Sequence, residues 1–456
     1  MVIYMNKRRV FLSTTHIIML GFLAVVLIGS LLLALPISSK DGQAVSYTDA
    51  LFTATTATCV TGLVTLPTAT AWSTFGQVVI LMLIQIGGLG VVTVLSGLMI
   101  FLQKKMSIGD RLLIQDSFNL NNLSGLIRFV KKVIIGTLVV EGAGALLYMT
   151  VFVPEFGLRG IWISVFNSIS AFCNAGMDII GENSLMDYAE NPIINAVTCA
   201  LIILGGIGYI VWWDIIRIIP SFKTKKIRAF RDLTLQSKIA VYATLGFLIL
   251  GTLSFFAFEY NNPQTIKDYT VLQKVEVSLF QSVTTRTAGF ATVPQENLTN
   301  ASSVVCLLLM FIGGSPVGTA GGIKTVTFAV LIASAFASIR NKEDTDLFGR
   351  RLTKQTVSKA VAVTCMSFII MFVSTILLSA VTEASALDIV YETVSATATV
   401  GLTRNLTASL NSVGKIIIIV TMYLGRVGPI SLAVAFKRGK DNQSIVRNPV
   451  EEISVG

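Results

Sequence analysis

The chain has 456 residues, of which 53% are hydrophobic and only 13% are charged, and it contains a single histidine. A soluble protein would carry roughly twice that charged fraction, so the composition excludes an ordinary soluble domain and indicates a membrane protein. The mean hydropathy of +0.75 agrees with this class. The net charge of +10 is concentrated in basic stretches between apolar runs and needs no nucleic acid to explain it.

The first apolar run covers residues 17–35 and contains no charge. It is long enough to cross the hydrocarbon core as a helix. The basic residues 7–9 precede it, as they would in a cleaved signal peptide. The run is longer than the roughly 7 to 15 apolar residues of a signal peptide, and no small-residue cleavage site follows Pro36, so we favour a retained span.

Seven further apolar runs follow, which makes eight predicted spans. Between the two spans of each successive pair lies a Ser-, Thr- and Ala-rich stretch of about a dozen residues that ends at a glycine. A helix of this length reaches about halfway across a bilayer. The four glycines are 114, 113 and 112 residues apart: Gly62, Gly176, Gly289 and Gly401. The chain is therefore one unit repeated four times.

The predicted fold is an all-α polytopic membrane protein with four tandem repeats of span, pore half-helix and span (M1-P-M2) around a pseudo-four-fold pore. Two crossings per repeat give all repeats the same orientation, which disfavours an inverted-repeat transporter. The repeats are assigned to residues 1–103, 104–222, 223–342 and 343–456, the last with a C-terminal tail. Their spans are 17–36 and 75–102, 130–153 and 192–217, 238–258 and 303–338, and 357–381 and 412–436.

Basic residues predict the orientation. The segments that carry the half-spans contain six Lys or Arg but fourteen Asp or Glu, and most of the other basic residues lie between the repeats and at the chain ends. We therefore expect the plasma (inner) membrane, both termini in the cytoplasm and half-spans that enter from outside. Those segments are residues 37–74, 154–191, 259–302 and 382–414.

The four glycine segments predict an ion path. Irregular backbone at membrane depth is tolerated only inside protein or along a watery cavity. The C-terminal end of a half-helix favours a cation, and extended backbone after it can offer carbonyl oxygens in place of the ion's water. One such glycine would be read as a helix cap, but four at constant spacing predict a filter for a monovalent cation. Its predicted residues are Cys59, Val60, Thr61, Gly62, Cys173, Asn174, Ala175, Gly176, Arg286, Thr287, Ala288, Gly289, Ala398, Thr399, Val400 and Gly401.

The second span of the third repeat contains five glycines and a proline within ten residues, which cannot form a continuous helix. We predict a loop below the filter that plugs or lines the inner cavity; a simple helix kink is the alternative. The end of the segment resembles a phosphate-binding loop, but no Gly-Lys-Ser/Thr triplet is present. The predicted loop residues are Gly313, Gly314, Ser315, Pro316, Val317, Gly318, Thr319, Ala320, Gly321 and Gly322.

Four charged residues stand out within or beside apolar segments. Arg426 lies in the last span, where a charge is costly in lipid and usually faces a cavity or a partner. Lys324 either takes part in the loop or is a snorkelling anchor, and the sequence leaves both open. Arg286 lies at a filter entrance and is expected to be a structural clamp rather than a selectivity residue. Glu141 could be protonated, interfacial or paired.

Several motifs carry a family resemblance: the segments 282–290, 84–90 and 425–429, and the Val-Gly end. With these motifs the chain resembles, from end to end, the KtrB-type membrane subunits of Ktr potassium uptake systems in the Trk/Ktr/HKT superfamily. Eight spans fit Ktr better than Trk, which has two more. The resemblance implies potassium uptake, with potassium at the filter residues. It implies an intramembrane gating loop, with Arg426 donating hydrogen bonds to the carbonyls of that loop. It also implies that Arg426 repels cations in the closed state.

The resemblance further implies a homodimer on a cytoplasmic KtrA-like ring of subunits that bind ATP and ADP, contacted through basic loops at 223–238 and 340–359. No cofactor is expected in this chain other than potassium, or sodium as a coupling ion. A symporter that couples potassium to sodium or protons would use the same fold and is the alternative. A membrane enzyme is disfavoured because His16 stands alone and no catalytic cluster of residues is present.

Overall fold

The computed structural model describes residues 2–5, 8–11, 14–103, 106–118 and 125–428. Helices dominate this part of the chain. Its strands form two short antiparallel hairpins, β1 (Val2–Met5) with β2 (Arg8–Phe11), and β3 (Asp346–Leu347) with β4 (Arg350–Arg351). The predicted C-terminal tail lies outside the described residues.

The helices follow the four predicted repeats in chain order. The first repeat contains α1 (Thr14–Leu33), α2 (Tyr47–Cys59), α3 (Thr68–Ala71), α4 (Thr74–Leu89) and α5 (Val91–Phe101). The second contains α6 (Ile108–Ser117), α7 (Leu126–Phe156), α8 (Leu158–Cys173), α9 (Pro192–Ile207) and α10 (Tyr209–Lys225). The third contains α11 (Leu235–Glu259), α12 (Val271–Thr284), α13 (Asn300–Phe311) and α14 (Thr325–Ile339). The fourth contains α15 (Lys354–Ser379), α16 (Ala386–Ala398) and α17 (Ser412–Val427).

The first predicted span of each repeat corresponds to a single long apolar helix. Helices α1, α7, α11 and α15 contain 20, 31, 25 and 26 residues and are long enough to cross a membrane. Their outer faces carry exposed leucines such as Leu31 and Leu146, which are 61% and 66% exposed. Exposed apolar side chains at this density suit contact with lipid chains.

The second spans of the first two repeats differ from the predicted continuous spans. The predicted span 75–102 bends by 98° between α4 and α5, and 192–217 bends by 99° between α9 and α10. Gly90 and Gly208 stand at these bends with φ of 85° and 94°, a left-handed backbone that cannot continue an α-helix. The predicted second spans of the first two repeats are therefore each interrupted at a single glycine.

The third repeat breaks in the predicted place. Its second span, predicted over 303–338, consists of α13 and α14 joined by non-helical backbone over residues 312–324. This connection, named here the intramembrane loop, contains the predicted segment 313–322. In the fourth repeat α17 covers the start of the predicted span 412–436, and residues 429–436 lie outside the described part.

The four half-spans form helices α2, α8, α12 and α16 of 13 to 16 residues, named here the pore helices. Three of them begin at a Ser or Thr whose hydroxyl accepts a backbone N–H of the first turn: Ser46, Thr270 and Ser385. Helices α2, α8 and α16 end at a residue with left-handed backbone, which stops the helix and turns the chain into the segment before the glycine.

The repeats close into a ring through one recurring contact. The helix that begins the second span of each repeat packs against the pore helix of the next repeat. Helix α4 thus contacts α8, α9 contacts α12 and α13 contacts α16. Helix α17 of the last repeat contacts α2 of the first. Lys415 and Asp49 form an ion pair of 2.6 Å across this closing contact. One polypeptide thus surrounds a single axis.

Candidate functional site

The four repeat glycines lie next to one another at the centre of this ring. All have left-handed backbone, with φ between 64° and 96°. A Cβ added to the glycine of one repeat would collide with a carbonyl oxygen of the next, at 2.5 Å in the first three cases. Only glycine therefore fits at these positions. The pairs are Gly62 with Ala175, Gly176 with Ala288, Gly289 with Val400 and Gly401 with Thr61.

The backbone N–H groups beside the glycines are bonded back to the pore helices. In the first repeat the Thr61 N–H donates to the Thr56 carbonyl (2.8 Å), and the Gly62 N–H donates to the Thr56 hydroxyl (3.0 Å). Ser395 receives the equivalent pair of bonds in the fourth repeat, from Val400 and Gly401. Because these N–H groups are bonded to the pore helix, the backbone groups of the segments that remain available to a ligand are the carbonyl oxygens.

The second and third repeats use the same support with small differences. Ser170 accepts the Ala175 N–H through its carbonyl (2.8 Å) and the Met177 N–H through its hydroxyl (3.1 Å). Thr284 accepts the Ala288 N–H through its carbonyl, and its hydroxyl donates to the Phe290 carbonyl. The Thr- and Ser-rich composition of the half-spans therefore has a specific use, which the sequence indicated only as a bias in composition.

Helices α4, α9 and α17, which begin second spans, each contact the end of a pore helix through a glycine. A Cβ at Gly87, Gly205 or Gly425 would collide with a carbonyl oxygen in the last turn of the pore helix of the same repeat. These oxygens belong to residues four positions before each filter glycine, namely Thr58, Phe172 and Thr397. Helices α4, α9 and α17 therefore pack directly behind the glycine ring.

A cavity of about 510 Å³ opens on one side of the glycine ring and contains all four glycines in its wall. Three acidic residues line it, Asp178, Glu182 and Glu296, and no Lys or Arg does so in the described part of the chain. Such a mouth holds a negative potential that concentrates cations. Burial raises the pKa of Asp178, in the loop between α8 and α9, to about 6.

The intramembrane loop lies on the other side of the glycine ring and is bonded to the broken end of α9. The N–H groups of Ser315 and Thr319 donate to the carbonyls of Gly206 (2.8 Å) and Gly205 (3.1 Å). The Tyr209 N–H donates to the Val317 carbonyl (2.9 Å). The loop therefore supplies the hydrogen bonds that the bend at Gly208 takes away from the helix.

Three cationic side chains donate to backbone carbonyls of this loop. Arg426 Nη1 donates to the Thr319 carbonyl (2.7 Å), while its Nη2 donates to the Gly87 carbonyl at the end of α4 (2.5 Å). Arg286 Nη2 donates to the Gly313 carbonyl (3.1 Å), and Lys324 Nζ donates to the Ala320 carbonyl (2.5 Å). Each side chain is anchored to the loop in this conformation.

These contacts bear on the earlier expectations. Arg286 is 7% exposed and is bonded to the loop, rather than standing at an open entrance. Lys324 folds back onto the loop instead of extending away from it as a snorkelling anchor would. Glu141 is 4% exposed and accepts from the Gln85 amide (3.2 Å). The Cys173 thiol lies 3.8 Å from its other oxygen, so Glu141 belongs to a polar cluster behind the filter.

Arg404 was missed by the sequence analysis. Its Nε forms an ion pair with Asp388 (2.7 Å), and its guanidinium also donates to the carbonyls of Gln295 (2.8 Å) and Glu296 (3.0 Å) and to the Ser303 hydroxyl (2.9 Å). It thereby ties the fourth repeat to the third at the mouth. Its position three residues after Gly401 was the feature of the sequence that could have pointed to this role.

Comparison with known proteins places the chain in a family. The family model described as a TrkH cation transport protein matches residues 10–447. The chain is 39% identical to the Ktr system potassium uptake protein B of Bacillus subtilis, covering 97% of this chain and 96% of that protein. It is 37% identical to the potassium/sodium uptake protein NtpJ of Enterococcus hirae, covering 99% of both.

A solved structure shows the same fold at low identity. The potassium transporter TrkH from Vibrio parahaemolyticus superposes with a TM-score of 0.72 at 17% sequence identity, covering 92% of this chain and 85% of that one. The matched model extends over nearly the whole chain, as do the two relatives. The chain therefore belongs to the TrkH family of cation transport proteins.

Proposed function

We propose that this chain carries potassium ions into the cell across the plasma membrane, through a filter made of the four glycine segments. The main support is the closed ring of glycines, in which each glycine lies beside a carbonyl oxygen of the neighbouring repeat. Carbonyl oxygens arranged around an axis can replace the water shell of a monovalent cation. The names of the relatives in Bacillus subtilis and Enterococcus hirae support potassium as the ion.

The intramembrane loop is the proposed gate. It lies across the inner side of the filter, and Arg426 and Arg286 hold it by its carbonyls. A guanidinium close to the ion path also repels cations while the loop stays in place. The acidic cavity is then the outer mouth, in agreement with the basic stretches facing the cytoplasm.

We also propose a homodimer that rests on a separate cytoplasmic ring of nucleotide-binding subunits. The relative in Bacillus subtilis is named as one component of a Ktr system. The basic segments 223–238 and 340–359 are the proposed contact surfaces. The hairpin of β3 and β4 lies in the second of these segments and carries exposed Arg350 and Arg351.

Ion flux into liposomes tests this function. Purified protein should take up potassium faster than sodium when each ion is offered alone outside, with or without the regulatory ring. Flux that proceeds without any sodium or proton gradient supports a channel, and a strict need for such a gradient supports the symporter. Absence of cation flux under all these conditions would rule out transport.

A pH dependence follows from Asp178. Its pKa of about 6 means that the carboxylate is charged at pH 7.5 and mostly protonated at pH 5. Protonation of one carboxylate in a water-filled cavity weakens the binding free energy of a nearby cation by roughly 1 kcal/mol, which lowers its affinity about fivefold. We therefore expect the KM for potassium uptake to rise about fivefold as the pH falls through 6.

Asp178→Asn is the matched variant for this prediction. It should show the high KM already at pH 7.5 and lose the step near pH 6. Uptake kinetics of both proteins at pH 5, 6 and 7.5 make the comparison. An identical pH profile in the two proteins would show that another group causes the dependence.

A further inference from the structure

The side chain of Thr319 connects the intramembrane loop to the filter of the second repeat. Thr319 is fully buried. Its hydroxyl donates to the Phe172 carbonyl (3.1 Å) and accepts from Nδ2 of Asn174 (3.0 Å). A hydroxyl can make both bonds at once, because it carries one donor and two acceptor sites.

Both partners of Thr319 belong to the base of the filter. Phe172 lies in the last turn of α8, and Asn174 is the residue with left-handed backbone (φ 58°) that ends this helix. Ala175 and Gly176 of the glycine ring follow directly. Asn174 is 1% exposed, and among the described residues the bond to Thr319 is the only hydrogen bond of its side-chain amide. The loop therefore supplies the partner that fixes this side chain.

The other repeats lack this connection. The equivalent positions are Val60, Thr287 and Thr399, all with positive φ. Valine has no polar group, and the hydroxyls of Thr287 and Thr399 have no hydrogen-bond partner within the described residues. At this position of the repeat, among the described residues, only Asn174 bonds its side chain to the loop; the third repeat contacts the loop from the preceding residue, Arg286, which donates to the Gly313 carbonyl.

The backbone of Thr319 is bonded on both sides as well. Its N–H donates to the Gly205 carbonyl of α9, and its carbonyl accepts from Arg426. Movement of the loop away from the filter would break all of these contacts together. Thr319 is consequently the point at which loop position and filter geometry depend on each other.

We propose that Thr319 and Asn174 form a latch that couples the position of the loop to the potassium affinity of the filter, which makes both of them positioning residues. This inference rests on the proposed function. With the loop in place, the latch holds the filter base of the second repeat and the filter binds potassium firmly. Displacement of the loop releases Asn174, and the affinity falls. Conduction requires such weakening, because a tightly held ion does not leave.

Potassium affinity of the purified full-length protein tests the latch. The readout is the potassium concentration that gives half of the potassium-dependent thermal stabilisation in sodium-free buffer. Thr319→Val removes the hydroxyl with little change in shape. Asn174→Val copies the residue that the first repeat carries in the same backbone conformation. Both variants should raise the half-maximal concentration at least about fivefold, the lower end of typical coupling between sites.

The double variant and two controls complete the design. Thr319→Val with Asn174→Val should shift the concentration no further than Thr319→Val alone, because Thr319→Val already removes the bond to Asn174 together with the bond to Phe172. Thr319→Ser keeps the hydroxyl and should match the wild type. Thr421→Val removes a buried hydroxyl bond of 2.7 Å to Ser374, away from the loop, and should lower thermal stability without moving the half-maximal concentration.

The outcomes separate the latch from the proposed function. A wild-type half-maximal concentration in Thr319→Val, or additive shifts in the double variant, would overturn the latch while potassium transport stands. A wild type that shows neither potassium-dependent stabilisation nor flux would overturn the proposed function and the latch with it.

Discussion

Gly62→Ser is expected to remove most of the preference for potassium over sodium. Gly62 has a φ of 96°, and a Cβ there would lie 2.5 Å from the Ala175 carbonyl oxygen of the next repeat. A side chain in this backbone region costs ~1–2 kcal/mol even before the collision, and the oxygen must move away. Displacement of this oxygen alters the cage that distinguishes the two ions, and a loss of ~1.4 kcal/mol in the difference between their binding free energies would lower the potassium-to-sodium flux ratio about tenfold.

Fluxes of the two ions into liposomes measure this ratio directly. Gly142→Ser is the matched control, because Gly142 lies in α7 and a Cβ there would have no atom within 4 Å. It should keep the wild-type ratio. An unchanged ratio in Gly62→Ser, in protein that still folds, would contradict a selectivity role for the glycine ring.

Arg426→Gln is expected to increase potassium flux under conditions that keep the wild type closed. The arginine donates to the Thr319 carbonyl of the loop and to the Gly87 carbonyl of α4. A hydrogen bond from a charged group contributes about 1.5–3 kcal/mol. Its loss should raise the open fraction by roughly ten- to a hundredfold, with a further gain because the repelling charge is gone.

Potassium flux without activating nucleotide measures this effect. Arg159→Gln removes the same charge from the exposed start of α8 and should leave the flux unchanged. Arg426→Lys keeps the positive charge but loses the planar guanidinium, whose two nitrogens donate to two different carbonyls. Its flux should therefore lie between those of the wild type and Arg426→Gln. A lower flux in folded Arg426→Gln would contradict its role in holding the gate closed.

The sequence predicted the repeated architecture because its signals are local. The lengths of the apolar runs and the glycine-rich segment 313–322 are properties of short stretches, and the repeat is visible because the same short segment recurs four times along the chain. The four first spans agree with the observed helices within four residues. The sharp bends at Gly90 and Gly208 were not predicted, because apolar composition continues across them. A glycine with left-handed backbone is indistinguishable in sequence from one that only eases helix packing.

The contacts of the candidate site depend on distant parts of the chain. Arg426 contacts residues 107 and 339 positions away, and Asn174 contacts Thr319 across 145 positions. Only the family resemblance paired Arg426 with the loop, and nothing in the sequence paired Asn174 with Thr319. Ser170 and Ser395 were visible only as members of a polar stretch, because their use depends on where the chain turns after the helix.

The closed ring of glycines is encoded by one polypeptide rather than by four copies of a subunit. A single codon change therefore alters one quarter of the ring, whereas in a homotetramer it would alter every quarter at once. Each position can be tuned separately during evolution, as the different residues at Val60, Asn174, Thr287 and Thr399 illustrate. A series with one, two, three and four glycines replaced could thus grade ion preference in steps within a single protein.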